Sequence, residues 1–261
     1  MIREDIINFF KSPKIYYLST SVKKSILSII KSVIYKAYIL GKCVYIDLKK
    51  IKFKNRKREI IVFTKKEHHK LDESLSTDLN ERKIVLLICM YTGIRVGEAC
   101  GLKWGDINFD KKYLIINRTV QRIKTNNKKN KTTLITSSPK SETSSRIIPL
   151  PNFIIPKLIK LKKDNDKYIL TNSKDKLYDT RLLESFYKRT LTKCGIKHMK
   201  FHTLRHTFAT RCVESGMDVK TLSEILGHST TQITLNLYVH PTYDMKKRSI
   251  EKTVRYIKKT K

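Results

Sequence analysis

Residues 202–206 read His202-Thr203-Leu204-Arg205-His206, and residues 226–228 read Leu226-Gly227-His228, with Tyr238 ten positions beyond that last histidine. His202 and Arg205 lie three apart, so on a helix they share a face and an imidazole and a guanidinium can converge on one group. Gly227 ends one helical pattern and Ser229, Thr230 and Thr231 cap the next, whose far end carries Tyr238 and so presents a phenol near the imidazole of His228. Upstream, residues 92–98 read T-G-I-R-V-G-E. Gly93 is the natural helix stop there, so Arg95 projects from the start of a new helix. Two arginines and a histidine that converge form a phosphate clamp, because a planar guanidinium donates two parallel hydrogen bonds to anionic oxygens. A fourth segment, P-K-S-E-T-S-S-R at 139–146, completes the set.

The periodicity around these segments is helical on both sides of a short β region. Val22, Ile26, Ile29, Ile30, Val33, Ile34 and Ala37 predict one amphipathic helix over 20–40, with a shorter turn at 5–10 ahead of it. Residues 49–59 (KKIKFKNRKRE) are basic and free of glycine, and read as an exposed linker that places a domain boundary near Arg58. Thr64 and Glu67 have capping-box spacing. Residues 80–91 are apolar almost all round and predict a core helix ended by Gly93. Strands are predicted at 113–120, 132–136 and 146–150, joined into one small antiparallel sheet, and helices at 154–162, 180–194, 202–215, 219–226 and 231–239. The expected fold class is mainly α with a small antiparallel β-sheet.

The chain has 261 residues, 40% of them hydrophobic, enough to bury one sizeable core and a smaller one, and at odds with disorder. Lys+Arg 56 against Asp+Glu 23 gives a net charge of +33, far beyond what solubility needs, and this imbalance points to a polyanionic partner. No apolar run approaches the ~20 residues that span a bilayer, and no signal-peptide pattern opens the chain, so a membrane partner is not expected and a cytoplasmic location is. Cys43, Cys89, Cys100, Cys194 and Cys212 are odd in number, scattered and without a C-x-x-C pair, and read as reduced thiols. His202 and His206 have the spacing of a zinc pair but lack the glutamate of H-E-x-x-H and a third ligand, so no metal is expected.

In order and spacing these segments resemble the tyrosine recombinase, or phage integrase, family, over nearly the whole chain beyond about Phe63. The resemblance implies the family's DNA breaking-and-rejoining catalytic fold over 59–261. Over 1–58 it implies part of a helical core-binding domain and a basic linker, shortened at the N-terminus relative to full-length members. It implies Arg95, Lys140, His202, Arg205, His228 and the nucleophile Tyr238 as the catalytic set, with Glu98 as a buried supporting acid. Tyr243, past Pro241, is the competing phenol. Lys128, Lys129 and Lys131 share the hairpin region of Lys140 and read as solvated or phosphate-contacting. Lys103, Arg146, Arg56 and Lys57 are expected as DNA backbone contacts, and His206 as a structural partner of the clamp helix.

The reaction implied is a transesterification in which Tyr238 forms a 3′-phosphotyrosyl link to DNA, integrating or excising a mobile element without metal, nucleotide or other cofactor. The chain accordingly has no G-x-x-x-x-G-K-[ST] loop. Lys140 is expected to protonate the leaving 5′-oxygen, and His202 to accept the tyrosyl proton or hold the phosphate, with His228 on a non-bridging oxygen. Which histidine is the base stays open. The implied partners are double-stranded DNA, a homo-tetramer on paired sites with residues 245–261 docked on a neighbour, and an excisionase or DNA-bending accessory protein. A cleavage-impaired DNA-binding remnant, a type IB topoisomerase and a helix-turn-helix repressor are the rival readings.

Overall fold

The structure, a computed structural model, describes residues 3–53, 60–125, 132–137, 145–172, 177–238 and 243–258. The chain divides into two compact units, residues 1–59 and 60–261.

The first unit holds α1 (Arg3–Lys11), α2 (Pro13–Tyr16) and α3 (Thr20–Ile39). Pro13 starts α2 where a missing N–H costs nothing, and the Ser19 hydroxyl accepts from the Val22 N–H to cap α3. Ile6, Phe10, Leu27, Ile34 and Leu48 form a small core. The apolar stripe predicted for α3 is wider than the face it buries: Ile34 and the unforeseen Leu27 are inside, whereas Ile29 and Val33 are more than 60% exposed. A unit of this size covers only one side of a twenty-residue helix.

The second unit opens on α4 (Lys65–Ser76), where Thr64 and Glu67 form the predicted capping box. In α5 (Glu81–Thr92) every side chain from Ile84 to Met90 is buried, and the helix stops at Gly93 in the left-handed region with φ +65°. After α6 (Val96–Gly101) and a 3₁₀ turn at Trp104–Asp106 come β1 (Ile107–Asn108), β2 (Tyr113–Ile116), β3 (Thr119–Lys124), β4 (Thr132–Ser137) and β5 (Arg146–Pro149). These make two antiparallel sheets, β1-β2-β5 and β3-β4, in place of the single one expected. The predicted strand over 113–120 breaks at Asn117 and Arg118, because the buried carboxylate of Asp106 accepts from both side chains and Arg118 also reaches the Gly101 carbonyl. The chain is thereby drawn off one sheet before it starts the next.

Five helices follow: α7 (Ile155–Leu161), α8 (Thr180–Lys193), α9 (His202–Glu214), α10 (Val219–Leu226) and α11 (Thr231–Tyr238), each within two residues of its predicted bounds at either end. A sixth, α12 (Tyr243–Lys258), was not foreseen as a helix. Its Ile250, Val254 and Ile257 are spaced as one face but are exposed. The mainly α class with small antiparallel sheets is therefore as expected. Among the described residues, no helix is long and apolar enough to cross a membrane.

Candidate active site

The site is built around the C-terminal end of α10. A helix end leaves carbonyls without partners inside the helix and carries partial negative charge. Here arginines from three elements supply the missing donors. Arg146, on β5, donates through Nε to the Ile225 carbonyl at 2.6 Å. Arg205, on α9, donates to the Leu226 carbonyl at 2.8 Å and to the Gly93 carbonyl at 2.9 Å. Arg95, at the N-cap of α6, reaches the Gly227 carbonyl at 3.1 Å. Gly227 itself holds φ +64°, and a Cβ there would lie 2.9 Å from Arg146 Nη1, so the glycine of Leu-Gly-His makes room for a guanidinium as well as for the turn.

Glu98 supplies the one carboxylate in this cluster. It accepts from Arg95 at 2.8 Å and from both terminal nitrogens of Arg146, at 3.1 and 2.9 Å. Burial opposes its ionisation, but the hydrogen bond and charge of Arg146, with Arg95 behind them, outweigh burial and hold the carboxyl below the usual range. Three cations against one anion leave the pocket positive. The buried Arg205 guanidinium registers this: desolvation first, then the neighbouring charge of Arg95, pull its pKa down.

The histidines and the phenol complete the site. His202 opens α9 and packs edge to face on His206, with ring centroids 4.5 Å apart. His228 Nδ1 pairs with Thr234 Oγ1 at 2.8 Å, so the first turns of α11 orient this ring. Burial, reinforced by nearby positive charge, lowers both His202 and His228 to a pKa of about 4, and both are neutral at physiological pH. Tyr238, at the end of α11, is 7% exposed. Burial raises its pKa, and the charges of Arg205 and Arg95 pull it part of the way back. Its hydroxyl lies 2.7 Å from His206 Nδ1. Tyr243, the competing phenol, starts α12 and is 79% exposed.

Arg95, Glu98, His202, Arg205, His228 and Tyr238 are thus gathered in one place. Arg146 departs from its expected role: only 6% of its side chain is exposed, and its guanidinium faces Glu98 and α10 instead of solvent, because the buried carboxylate and helix end need its donors. Lys103 sets its ammonium over the Tyr168 ring, 5.3 Å from the centroid. Lys140, Arg56 and Lys57 lie outside the described residues. Arg146 and His206 have larger parts in the site than their places in the sequence suggest. The signals were there, an arginine closing the hairpin motif and a second histidine one turn after the first, but their partners lie 48 and 32 residues away.

Arg95 and Arg205 thus lie close enough for their charges to act on the Tyr238 hydroxyl, in a cluster that Arg146 and Glu98 complete. Residues 59–245 match the phage integrase family, and the chain belongs to it. A tyrosine recombinase XerC-like protein of Caldanaerobacter subterraneus subsp. tengcongensis is 36% identical over 213 residues, covering 74% of this chain and 54% of that protein. The transposase from transposon Tn916 of Enterococcus faecalis is 27% identical over 194 residues, 67% of this chain and 45% of that protein. The chain therefore spans about half the length of these relatives. Among solved structures, the Tn1549 transposon integrase in complex with transposon right end DNA shares the fold, with a TM-score of 0.78 and 19% identity over 97% of this chain and 86% of that one.

Proposed function

We propose that the protein is a site-specific DNA recombinase that integrates or excises a mobile element through a 3′-phosphotyrosyl intermediate formed on Tyr238. The observation that carries this reading is the Tyr238 hydroxyl, buried within reach of the charges of Arg95 and Arg205. A phosphodiester under attack gains negative charge on its non-bridging oxygens, and preorganised cations in a dry site stabilise that charge without reorganising at the moment of reaction. Arg95 and Arg205 have this role. Arg146 and Glu98 hold them in place, and His202 and His228 serve as neutral donors to the phosphate. Lys140 protonates the departing 5′-oxygen. The ester retains the energy of the broken bond, so a 5′-hydroxyl of a partner duplex reverses the step without a cofactor.

In this reading the substrate is double-stranded DNA, consistent with the net charge of +33. Residues 1–58 act as part of a core-binding domain with a basic linker that includes Arg56 and Lys57, and 59–261 as the catalytic domain. Lys103 contacts the DNA backbone. Strand exchange between two duplexes uses four protomers, with an excisionase or DNA-bending protein setting direction. The Tn916 and Tn1549 relatives support a mobile element as the context.

Nicked duplexes drawn from the DNA flanking the gene trap the intermediate, since the nick lets the short fragment bearing the freed 5′-hydroxyl diffuse away. An adduct on a denaturing gel that survives Tyr243→Phe and is lost in Tyr238→Phe supports the reading. DNA binding without any adduct overturns it in favour of a binding protein.

A further inference from the structure

The Tyr238 hydroxyl already has an acceptor, and it is neither His202 nor His228. His206 Nδ1, one turn along α9 from His202, sits 2.7 Å from the phenolic oxygen. Among the described residues, this is the side-chain hydrogen bond that the hydroxyl makes. His202 instead braces the His206 ring edge to face. Burial, with the charge of Arg205, favours the neutral form of His206, and burial keeps the phenol protonated. The phenolic O–H therefore donates and Nδ1 accepts, the direction in which a proton can pass.

We propose that His206 is a catalytic residue, which fixes the Tyr238 oxygen and takes its proton as that oxygen attacks phosphorus. The inference rests on the strand-cleavage reading. In the step, the bond from the phenolic oxygen to phosphorus forms and the bond from phosphorus to the 5′-oxygen breaks. The phenolic proton moves to His206 Nδ1, and the general acid gives a proton to the 5′-oxygen. Ligation runs the same path backwards, with the imidazolium returning its proton to the phenolate. The neighbouring Arg205 charge disfavours a lasting imidazolium, which suits a base that must give its proton back. His202 is then left free to hold the phosphate.

Single-turnover adduct formation on the nicked duplexes tests this. Asparagine at 206 retains an acceptor oxygen near the place of Nδ1 but cannot carry a proton, whereas alanine retains neither. His206→Asn and His206→Ala are expected to bind DNA like the wild type and to cleave roughly 100-fold more slowly or worse. A fluorotyrosine at 238 has a more acidic phenol and depends less on a base, so it recovers much of the His206→Asn loss while changing the wild-type background little. Wild-type cleavage in His206→Asn, or an equal fluorotyrosine effect in both backgrounds, overturns the role of His206 while leaving the recombinase reading intact. A wild-type chain that forms no adduct overturns both. Should His206→Asn not fold, the histidine ¹⁵N spectrum reads the bond without DNA: Tyr238→Phe shifts the His206 Nδ1 resonance, and an unmoved resonance overturns the proposal.

Discussion

Arg146 and Glu98, 48 residues apart in the chain, form a two-pronged ion pair in which both terminal guanidinium nitrogens meet both carboxylate oxygens and neither side chain is more than 7% exposed. The same carboxylate also holds Arg95. It is thus the common anchor of the strand, the helix start and the helix end that frame the site. Removing one partner of such a pair strands the other charge in a poor dielectric. Glu98→Ala is expected to destabilise the chain by ~3–5 kcal/mol, read as a shift of the urea midpoint at an unchanged slope. Glu98→Gln retains hydrogen-bond acceptance and should lose less.

The neutral histidines set a pH dependence with a definite sign. His202 and His228 have native pKa values of about 4, below the 6.5 of an unfolded histidine, so they bind fewer protons folded than unfolded. Their contribution to stability is complete above pH 6.5 and is lost as the pH falls from there towards 4. Urea midpoints of the wild type should decline across that window. The double variant His202→Gln, His228→Gln should decline less steeply, and parallel curves would show that the two rings do not titrate as described.

Gly227 is placed by two requirements at once, a left-handed turn and room for Arg146. Gly227→Ala introduces a Cβ that can relax neither by changing φ nor by moving a loosely held neighbour, since the guanidinium it meets is tied to Glu98 and the Ile225 carbonyl. The expected cost is ~1–3 kcal/mol in stability. Cleavage should fall as well, through the displaced Arg146. Gly216→Ala is the control, because that glycine has φ +88° but open space around it, and it should cost stability without a specific loss of cleavage.

Apart from α2 and α12, the helices were legible in the sequence because their determinants are local: the Thr64 to Glu67 box, the glycine stops at 93 and 227, and the apolar runs between them. The residues of the site were legible as types at spacings. What sequence could not supply is partner choice over long separations. Arg146 reads as any basic surface residue until β5 is seen to face the end of α10, and His206 reads as a scaffold residue until α11 brings Tyr238 beneath it. The single strand drawn over 113–120 failed for the same reason, since nothing in Asn117 or Arg118 announces that a buried Asp106 lies in wait for them.

Arg205→Lys is the sharpest test of the clamp, because it retains the charge and removes the geometry. The guanidinium spans two carbonyls from different parts of the chain, Gly93 at the end of α5 and Leu226 at the end of α10, and so locks the helix stop beside Arg95 to the turn that carries His228. A lysine presents a compact ammonium without that fork, and one of the two buried carbonyls loses its donor, at a cost of ~1–3 kcal/mol in stability. The transition-state charge also loses a positioned donor, so single-turnover cleavage should fall by roughly 10²–10³-fold. DNA affinity and its salt slope should hardly move, because the net charge and the exposed lysines are unchanged. A variant that instead lost binding and retained its cleavage rate would show that Arg205 serves as a docking cation and that the phosphate in transition is held elsewhere.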